Sequence, residues 1–81
     1  MRFISLVNIA SEKSTEAQER IKKLNPPSGG KVEEVYALMG RFDVALIFDA
    51  PDAKTASDWV TGKVRGVAGV TSTETFLASE I

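Results

Sequence analysis

The stretch KVEEVYALMGRFDVALIFDA, residues Lys31–Ala50, decides the fold of this chain. It contains two runs rich in Val, Tyr, Leu, Ile and Phe, Val32–Met39 and Phe42–Asp49, and this composition is typical of β-strands. Only Gly40 and Arg41 separate the two runs. Gly at the first position of a two-residue loop suits a type II′ turn, because that position needs a positive φ. The stretch therefore predicts a β-hairpin.

A two-residue loop also fixes the register of the hairpin, because it places Met39 opposite Phe42 and side chains alternate along a strand. One predicted face is apolar throughout: Val35, Ala37, Met39, Phe42, Val44, Leu46 and Phe48. The other predicted face carries Val32, Glu34, Tyr36, Leu38, Asp43, Ala45, Ile47 and Asp49. Both faces need a covering layer, and the carboxylate of Asp43 needs a partner on a largely apolar surface.

The composition is that of one small folded domain, predicted to span residues 1–81. Hydrophobic residues make up 43% of the chain and charged residues 26%, as in globular proteins. A chain this short buries a thin core, which oligomerisation often supplements. The net charge of −1 argues against a nucleic-acid binder. No apolar run approaches the length of about 20 residues that a membrane span needs, so we expect no membrane association and a cytoplasmic location.

The residue inventory restricts the chemistry of the chain. It has no Cys and no His, which excludes disulfides, thiolate sites and the triads that use either residue. A zinc site would need carboxylates or carbonyls alone, so we predict no metal and no cofactor. Asp43 and Asp49 are six residues apart on one strand, which separates their Cα atoms by about 20 Å. They cannot form an acid/base pair within one chain, and we expect no enzymatic activity.

A strand and a helix precede the hairpin. Arg2–Ala10 carries apolar residues on both sides of its alternation, which predicts an interior strand. A helix that starts within Ser11–Ser14 is predicted from a narrow apolar stripe at i, i+4 and i+7, formed by Ala17, Ile21 and Leu24. Thr15 and Gln18 have the spacing of a capping box. The prolines at 26 and 27 end this helix, because proline lacks the amide donor.

A second helix and a last strand follow the hairpin. Asp52 is predicted to cap the helix, whose core positions recur at helical spacing: Ala53, Ala56, Trp59, Val60, Lys63, Val64 and Val67. We interpret Trp59 as a core residue rather than a ligand-stacking aromatic. Gly66 or Gly69 ends the helix. Val70–Ala78 is the last predicted strand, with Thr71, Thr73, Thr75 and Leu77 on one face.

The predicted order β-α-β-β-α-β is that of the ferredoxin-like α+β fold. Right-handed crossovers place both helices on one face of a four-stranded antiparallel sheet, in the spatial order last, first, third and second strand. The opposite face, with Tyr36, Leu38 and Ile47, is then bare. Small soluble domains avoid such apolar patches, and a second copy of the sheet is the simplest cover. We therefore predict a homodimer or a larger ring, built as a dimeric α/β barrel.

Two signatures resemble a known family. Gly40-Arg41-Phe42-Asp43 and Gly69-Val70-Thr71-Ser72-Thr73-Glu74-Thr75 are similar to the Gly-x-aromatic-Asp turn and the final-strand Thr-x-Thr of the ligand-sensing (RAM) domain of Lrp/AsnC feast/famine regulators. This resemblance implies an amino-acid ligand, an oligomer and a role in transcription regulation, with a full-length Lrp/AsnC regulator as a further candidate partner. Nothing matches the helix-turn-helix domain of that family, so DNA binding does not carry over.

A second family is also similar. Gly40-x-Phe42-Asp43, the run Phe48–Asp52 and Thr73-Glu74-Thr75 resemble the small GYD-type dimeric α+β barrel proteins. Both families imply the same fold and a dimer. The second leaves open an unknown or weak enzymatic role instead of sensing.

The ligand-binding residues are predicted to be Gly40, Arg41, Asp43, Thr73 and Thr75. Asp43 can accept an ammonium group, backbone N–H groups near Gly40 can hold a carboxylate, and the threonines can add hydroxyls. The predicted sheet order separates the last strand from the third by about 10 Å, so the site is expected between subunits. The alternative is that Asp43 only bonds its own turn or pairs with Arg41. Lys63 and Arg65 can contribute, but nothing in the sequence assigns them.

Overall fold

The computed structural model describes residues 1–81 and contains four β-strands and two α-helices. The strands are β1 (Arg2–Ile9), β2 (Lys31–Ala37), β3 (Val44–Asp49) and β4 (Val70–Ala78), and the helices are α1 (Ser14–Lys22) and α2 (Ala53–Trp59). A 3-10 turn, Ser11–Lys13, precedes α1, and a π-helical segment, Val60–Val64, continues α2. The order β1-α1-β2-β3-α2-β4 confirms the predicted ferredoxin-like α+β fold.

The four strands form one antiparallel sheet in the spatial order β2-β3-β1-β4, as predicted. Burial alternates along the two central strands, since side chains point to opposite faces in turn. The buried positions are Phe3, Ser5, Val7 and Ile9 on β1 and Val44, Leu46 and Phe48 on β3. These residues face the helices, and Ala17, Ile21, Ala56, Val60 and Val64 close the core from the helical side.

The hairpin has the predicted register next to its loop, where Ala37 pairs with Val44 and Val35 with Leu46. The loop itself is wider than predicted. Leu38 N donates to Asp43 O at 2.8 Å, but no backbone hydrogen bond closes the four residues between them. Gly40 has the expected positive φ, at 144°. The connection is therefore an open loop around Gly40 and not a two-residue type II′ turn.

The predicted face of Val32 is wrong. Val32 pairs with Phe48 and Glu34 pairs with Ile47, so Glu33 is an extra residue in β2. One inserted residue reverses the alternation, and Val32 turns to the helix side, where it packs against the core. Glu33 instead forms ion pairs with two cations. Its Oε2 lies 2.9 Å from Lys31 Nζ and 3.2 Å from Arg2 Nη2.

Trp59 is a core residue, as predicted. It is 6% exposed, and its ring centroid lies 4.7 Å from that of Phe48, which in turn stacks on Phe3 at 5.5 Å. The indole Nε1–H donates to the carbonyl of Asn25 at 2.9 Å. This contact ties α2 to the loop that follows α1.

One of the two predicted helix caps is present. Asp52 Oδ1 accepts a hydrogen bond from Thr55 N at 2.7 Å, which confirms Asp52 as the cap of α2. The capping box of Thr15 and Gln18 is wrong, because the 3-10 turn starts the helical path earlier and places Thr15 inside α1. Lys13 occupies the cap position there without a side-chain bond.

We expect the Asp52 cap to make stability depend on pH. The hydrogen bond from the Thr55 backbone N–H holds the pKa of the Asp52 carboxyl below its ordinary value. A depressed pKa means that the stabilisation is present above the unfolded pKa of about 3.9 and is lost as pH falls through the folded pKa. Asp52→Ala should therefore lower the melting temperature by a few degrees at pH 7 and by much less near pH 3.

Asp58→Ala is the matched control, because it removes the same charge from the same helix. Asp58 forms an exposed pair with Lys54 at 2.7 Å, a type of contact that adds little stability. Equal losses in the two variants at pH 7 would contradict the capping role.

Neither helix combines the length and the apolarity that crossing a membrane requires.

Candidate functional site

The predicted site residues fall into two groups in the chain. Gly40, Arg41 and Asp43 lie in the loop between β2 and β3. Thr73 and Thr75 lie on β4, opposite Val7 and Ser5 of β1. Because β1 separates β3 from β4, one chain does not bring the two groups together, as the predicted sheet order requires.

Asp43 bridges the start of β3 to the end of β1. Its Oδ2 accepts a hydrogen bond from Ile9 N at 2.7 Å, and its own N–H donates to Val7 O at 2.9 Å. The carboxylate thus bonds neither its own turn nor Arg41, the two partners of the alternative interpretation. The half-buried side chain uses only Oδ2 for this bond, which leaves Oδ1 free of hydrogen bonds within the chain.

The loop beside Asp43 is open to solvent. Met39, Gly40 and Arg41 are exposed, and their backbone N–H groups make no hydrogen bond within the chain. A side-chain carbon placed on Gly40 would meet no atom within 4 Å. The loop therefore presents free donors, which is the property that the sequence predicted for carboxylate binding.

Thr73 and Thr75 line a groove between β4 and the second helix, on the helix side of the sheet. We call it the β4 groove; its volume is about 320 Å³, within the range of small-molecule pockets. Five apolar residues line it: Phe3, Ala53, Ala56, Val60 and Leu77. Five polar residues complete the lining: Ser57, Thr61, Arg65, Thr73 and Thr75. The groove thus offers an apolar floor with hydroxyls and one cation around it.

The two threonine hydroxyls differ in their surroundings. Ser5 of the neighbouring strand β1 is fully buried opposite Thr75, and its Oγ lies 3.0 Å from Thr75 Oγ1, so this pair is held by a hydrogen bond. The hydroxyl of Thr73 makes no hydrogen bond within the chain, which leaves it for a ligand or solvent. Thr75 is therefore positioned by the core, and Thr73 is the free hydroxyl of the groove.

Sequence reasoning missed the helical wall of this groove. Ser57, Thr61 and Arg65 recur every four residues, a spacing that places them along one side of a helix. That polar stripe was the available signal. It is hard to use alone, because polar residues on a helix face are usually only solvated.

The open face of the sheet carries the bare apolar surface that the sequence predicted. Tyr36 is 47% exposed and Phe76 is 49% exposed, although both are large and largely apolar. Between them lie the partly buried side chains of the central strands, Ile4, Leu6, Ala45 and Ile47. A dimer that covers this face stays a prediction.

Arg2 and Asp49 form an ion pair apart from the predicted site residues. Arg2 holds Asp49 through two hydrogen bonds, Nε to Oδ1 at 3.0 Å and Nη2 to Oδ2 at 3.3 Å. The hydrogen bond from Arg2 lowers the pKa of the Asp49 carboxyl. This pair lies at the other end of β3 from Asp43, and no group of three acidic side chains is placed to hold a metal ion.

The sequence of this chain matches a known protein family, and its fold matches solved structures. A family model described as the GYD domain matches residues 5–80. The crystal structure of TTHA0845 from Thermus thermophilus is similar with a TM-score of 0.82 and 26% identity, covering 99% of this chain and 94% of that one. A search of curated proteins finds no match.

Two regulators share the fold at lower identity. AsnC of E. coli has a TM-score of 0.81 at 14% identity, and the transcriptional regulator NMB0573 of Neisseria meningitidis, solved as an L-Met complex, has a TM-score of 0.75 at 22% identity. Each comparison covers 99% of this chain and 51% of the regulator, so this chain spans about half their length. The predicted resemblance to the ligand-sensing domain of Lrp/AsnC regulators is confirmed as a likeness of fold. The match of the family model over nearly the whole sequence shows that the chain belongs to the GYD domain family.

Proposed function

We propose that the chain is an oligomeric binding module for a small molecule, an amino acid in our hypothesis, and that it modulates regulation without binding DNA itself. The observation that carries the proposal is the β4 groove, where Thr73 presents a free hydroxyl beside an apolar floor. The fold is shared with regulators, one of them solved with L-Met, which supports a ligand of this class.

The proposed site is completed by a neighbouring subunit on the helix side of the sheet, as in a larger ring, because the β4 groove lies on that side and the predicted sheet-to-sheet contact covers the other. The β4 groove of one subunit supplies hydroxyls and an apolar floor, and the loop around Gly40 and Asp43 of the partner subunit supplies a carboxylate and free N–H groups. An amino acid carries both charges and needs both walls. A homodimer or larger ring is therefore part of the proposal, and a regulator of the same fold is a further candidate partner.

The proposal assigns no catalysis to the chain. Asp43 and Asp49 lie at opposite ends of β3, and the chain has no His or Cys to activate a hydroxyl. A turnover screen with small metabolites tests this part, and product formation above background would contradict it.

The ligand hypothesis is tested by thermal shift with the standard amino acids, followed by Asp43→Asn with any amino acid that raises the melting temperature. The amide keeps an oxygen that can accept from Ile9 N but loses the charge. Binding should weaken by about 1.5–3 kcal/mol, the range for a hydrogen bond to a charged group, while stability changes little.

Asp58→Asn is the control, because it removes the same charge from an exposed position on α2. If Asp43 serves only to join β3 to β1, Asp43→Asn would leave the affinity for the amino acid unchanged, whatever its effect on the melting temperature. The absence of any stabilising amino acid would remove the ligand hypothesis itself.

A further inference from the structure

We propose that Arg65 is the carboxylate anchor of the β4 groove, and that the groove holds small aliphatic carboxylates by their charged end. This inference rests on the proposed binding function and deepens it by naming the chemical group that the groove recognises. It concerns a residue that neither family signature contains.

The π-helical segment sets the position of Arg65. Arg65 N donates to Val60 O at 2.9 Å, a bond across five residues instead of the usual four. The wider turn places Arg65 one turn beyond Val60, which is itself part of the groove floor. Turns of this kind are rare and occur frequently at functional sites.

The charge of Arg65 is not matched within the chain. The cations of the ion pairs in the structure are Arg2, Lys31 and Lys54, and Arg65 is in none of them. No acidic residue lines the β4 groove, and Arg65 is its only charged side chain. A guanidinium group presents five N–H donors in a planar fork that fits a carboxylate with two parallel hydrogen bonds.

The rest of the groove fits the other end of such a ligand. Phe3, Val60 and Leu77 form an apolar surface that can accept an aliphatic chain. Thr73 adds the free hydroxyl. The groove has no carboxylate to pair with an ammonium, so an amino acid would need Asp43 of the partner subunit for its charge, whereas a plain carboxylic acid would not.

Three probes with the same aliphatic chain distinguish the contribution of the ligand's carboxylate from that of its ammonium group: L-leucine, L-leucinamide and isocaproate. Titration calorimetry on the full chain should show binding of L-leucine and isocaproate, and at least tenfold weaker binding of L-leucinamide, which lacks the carboxylate. Arg65→Gln should weaken L-leucine and isocaproate by about ten- to a hundredfold, as expected for a lost charged hydrogen bond. Arg65→Lys should fall between, because a lysine keeps the charge but not the fork.

Lys63→Gln is the matched control, since Lys63 lies two residues away and does not line the groove. It should bind the probes as the wild type does, and the melting temperatures of the free variants should agree within a degree or two. L-Leucine binding that Arg65→Gln leaves unchanged would overturn the anchor and leave the proposed function standing. If none of the three probes binds, the anchor is overturned, and the screen with the standard amino acids decides the proposed function separately.

Discussion

Replacing Ile47 by lysine is expected to prevent the predicted dimer and to leave a folded monomer. Ile47 lies on the central strand β3 and points to the open face, next to Ile4 of β1 and opposite Glu34 of β2. In a dimer whose sheets pack face to face, the substitution would bury two additional charges in an apolar layer. We expect a penalty of about 3 kcal/mol or more, on the order of a hundredfold in the dissociation constant.

The same substitution should leave the single subunit folded. Ile47 is half-buried in the isolated chain, and the introduced ammonium group would have the carboxylate of Glu34 across the strand pair. Cross-strand pairs of opposite charge are mildly stabilising. Far-UV circular dichroism of the variant should therefore match the wild type, while light scattering at low micromolar concentration should give half the mass.

Ile81→Lys controls for the added charge, because Ile81 is a fully exposed apolar residue at the end of the chain. It should remain dimeric. A wild-type protein that is monomeric at this concentration, or an Ile47→Lys variant that keeps the wild-type mass, would show that the open face is not the dimer interface.

Local sequence patterns were sufficient to predict the strands and helices of the fold. The threonine-rich alternation predicted β4 with its observed bounds, Val70–Ala78, and Asp52 predicted the start of α2. Both signals involve neighbours a few residues apart. The strand order followed from the order of the elements and the right-handed crossover rule.

Two of the errors involve contacts between distant parts of the chain. Glu33 and Glu34 are chemically equivalent in sequence, and nothing near them marks Glu33 as the extra residue of β2, whose carboxylate lies 3.2 Å from Arg2 of β1. The partner of Asp43 is the backbone of Ile9, 34 residues away. No local pattern contains these pairings, because they exist only once β1 lies beside the hairpin.

For the same reason, only part of the candidate site could be predicted from the sequence. Thr73 and Asp43 stood out as polar groups in strand-like surroundings, but the wall opposite Thr73 belongs to another element. Arg65 belongs to that wall and follows the π-helical turn. The apolar positions of this turn, Val60 and Val64, are also compatible with an ordinary α-helix, so the sequence does not reveal it. Residue spacing could suggest a polar stripe there, but not that the stripe faces β4.

The largest loss of stability is expected from Trp59→Ala. The indole packs on the sheet through Phe48 and bonds the loop after α1 through the carbonyl of Asn25. Removing a buried aromatic side chain leaves a cavity, and the free energy of unfolding should fall by about 3–5 kcal/mol. The free energy of unfolding of a small domain is about 5–15 kcal/mol in total, so the variant should be only marginally stable at 25 °C.

Trp59→Phe separates the packing of Trp59 from its hydrogen bond. It keeps an aromatic ring against Phe48 but removes the donor to the Asn25 carbonyl, which should cost about 1 kcal/mol. Because Trp59 is the only tryptophan, urea unfolding must be followed by circular dichroism, at equal protein concentration so that oligomerisation contributes equally. A loss in Trp59→Phe as large as that in Trp59→Ala would mean that the hydrogen bond, rather than the packing, holds α2 on the sheet.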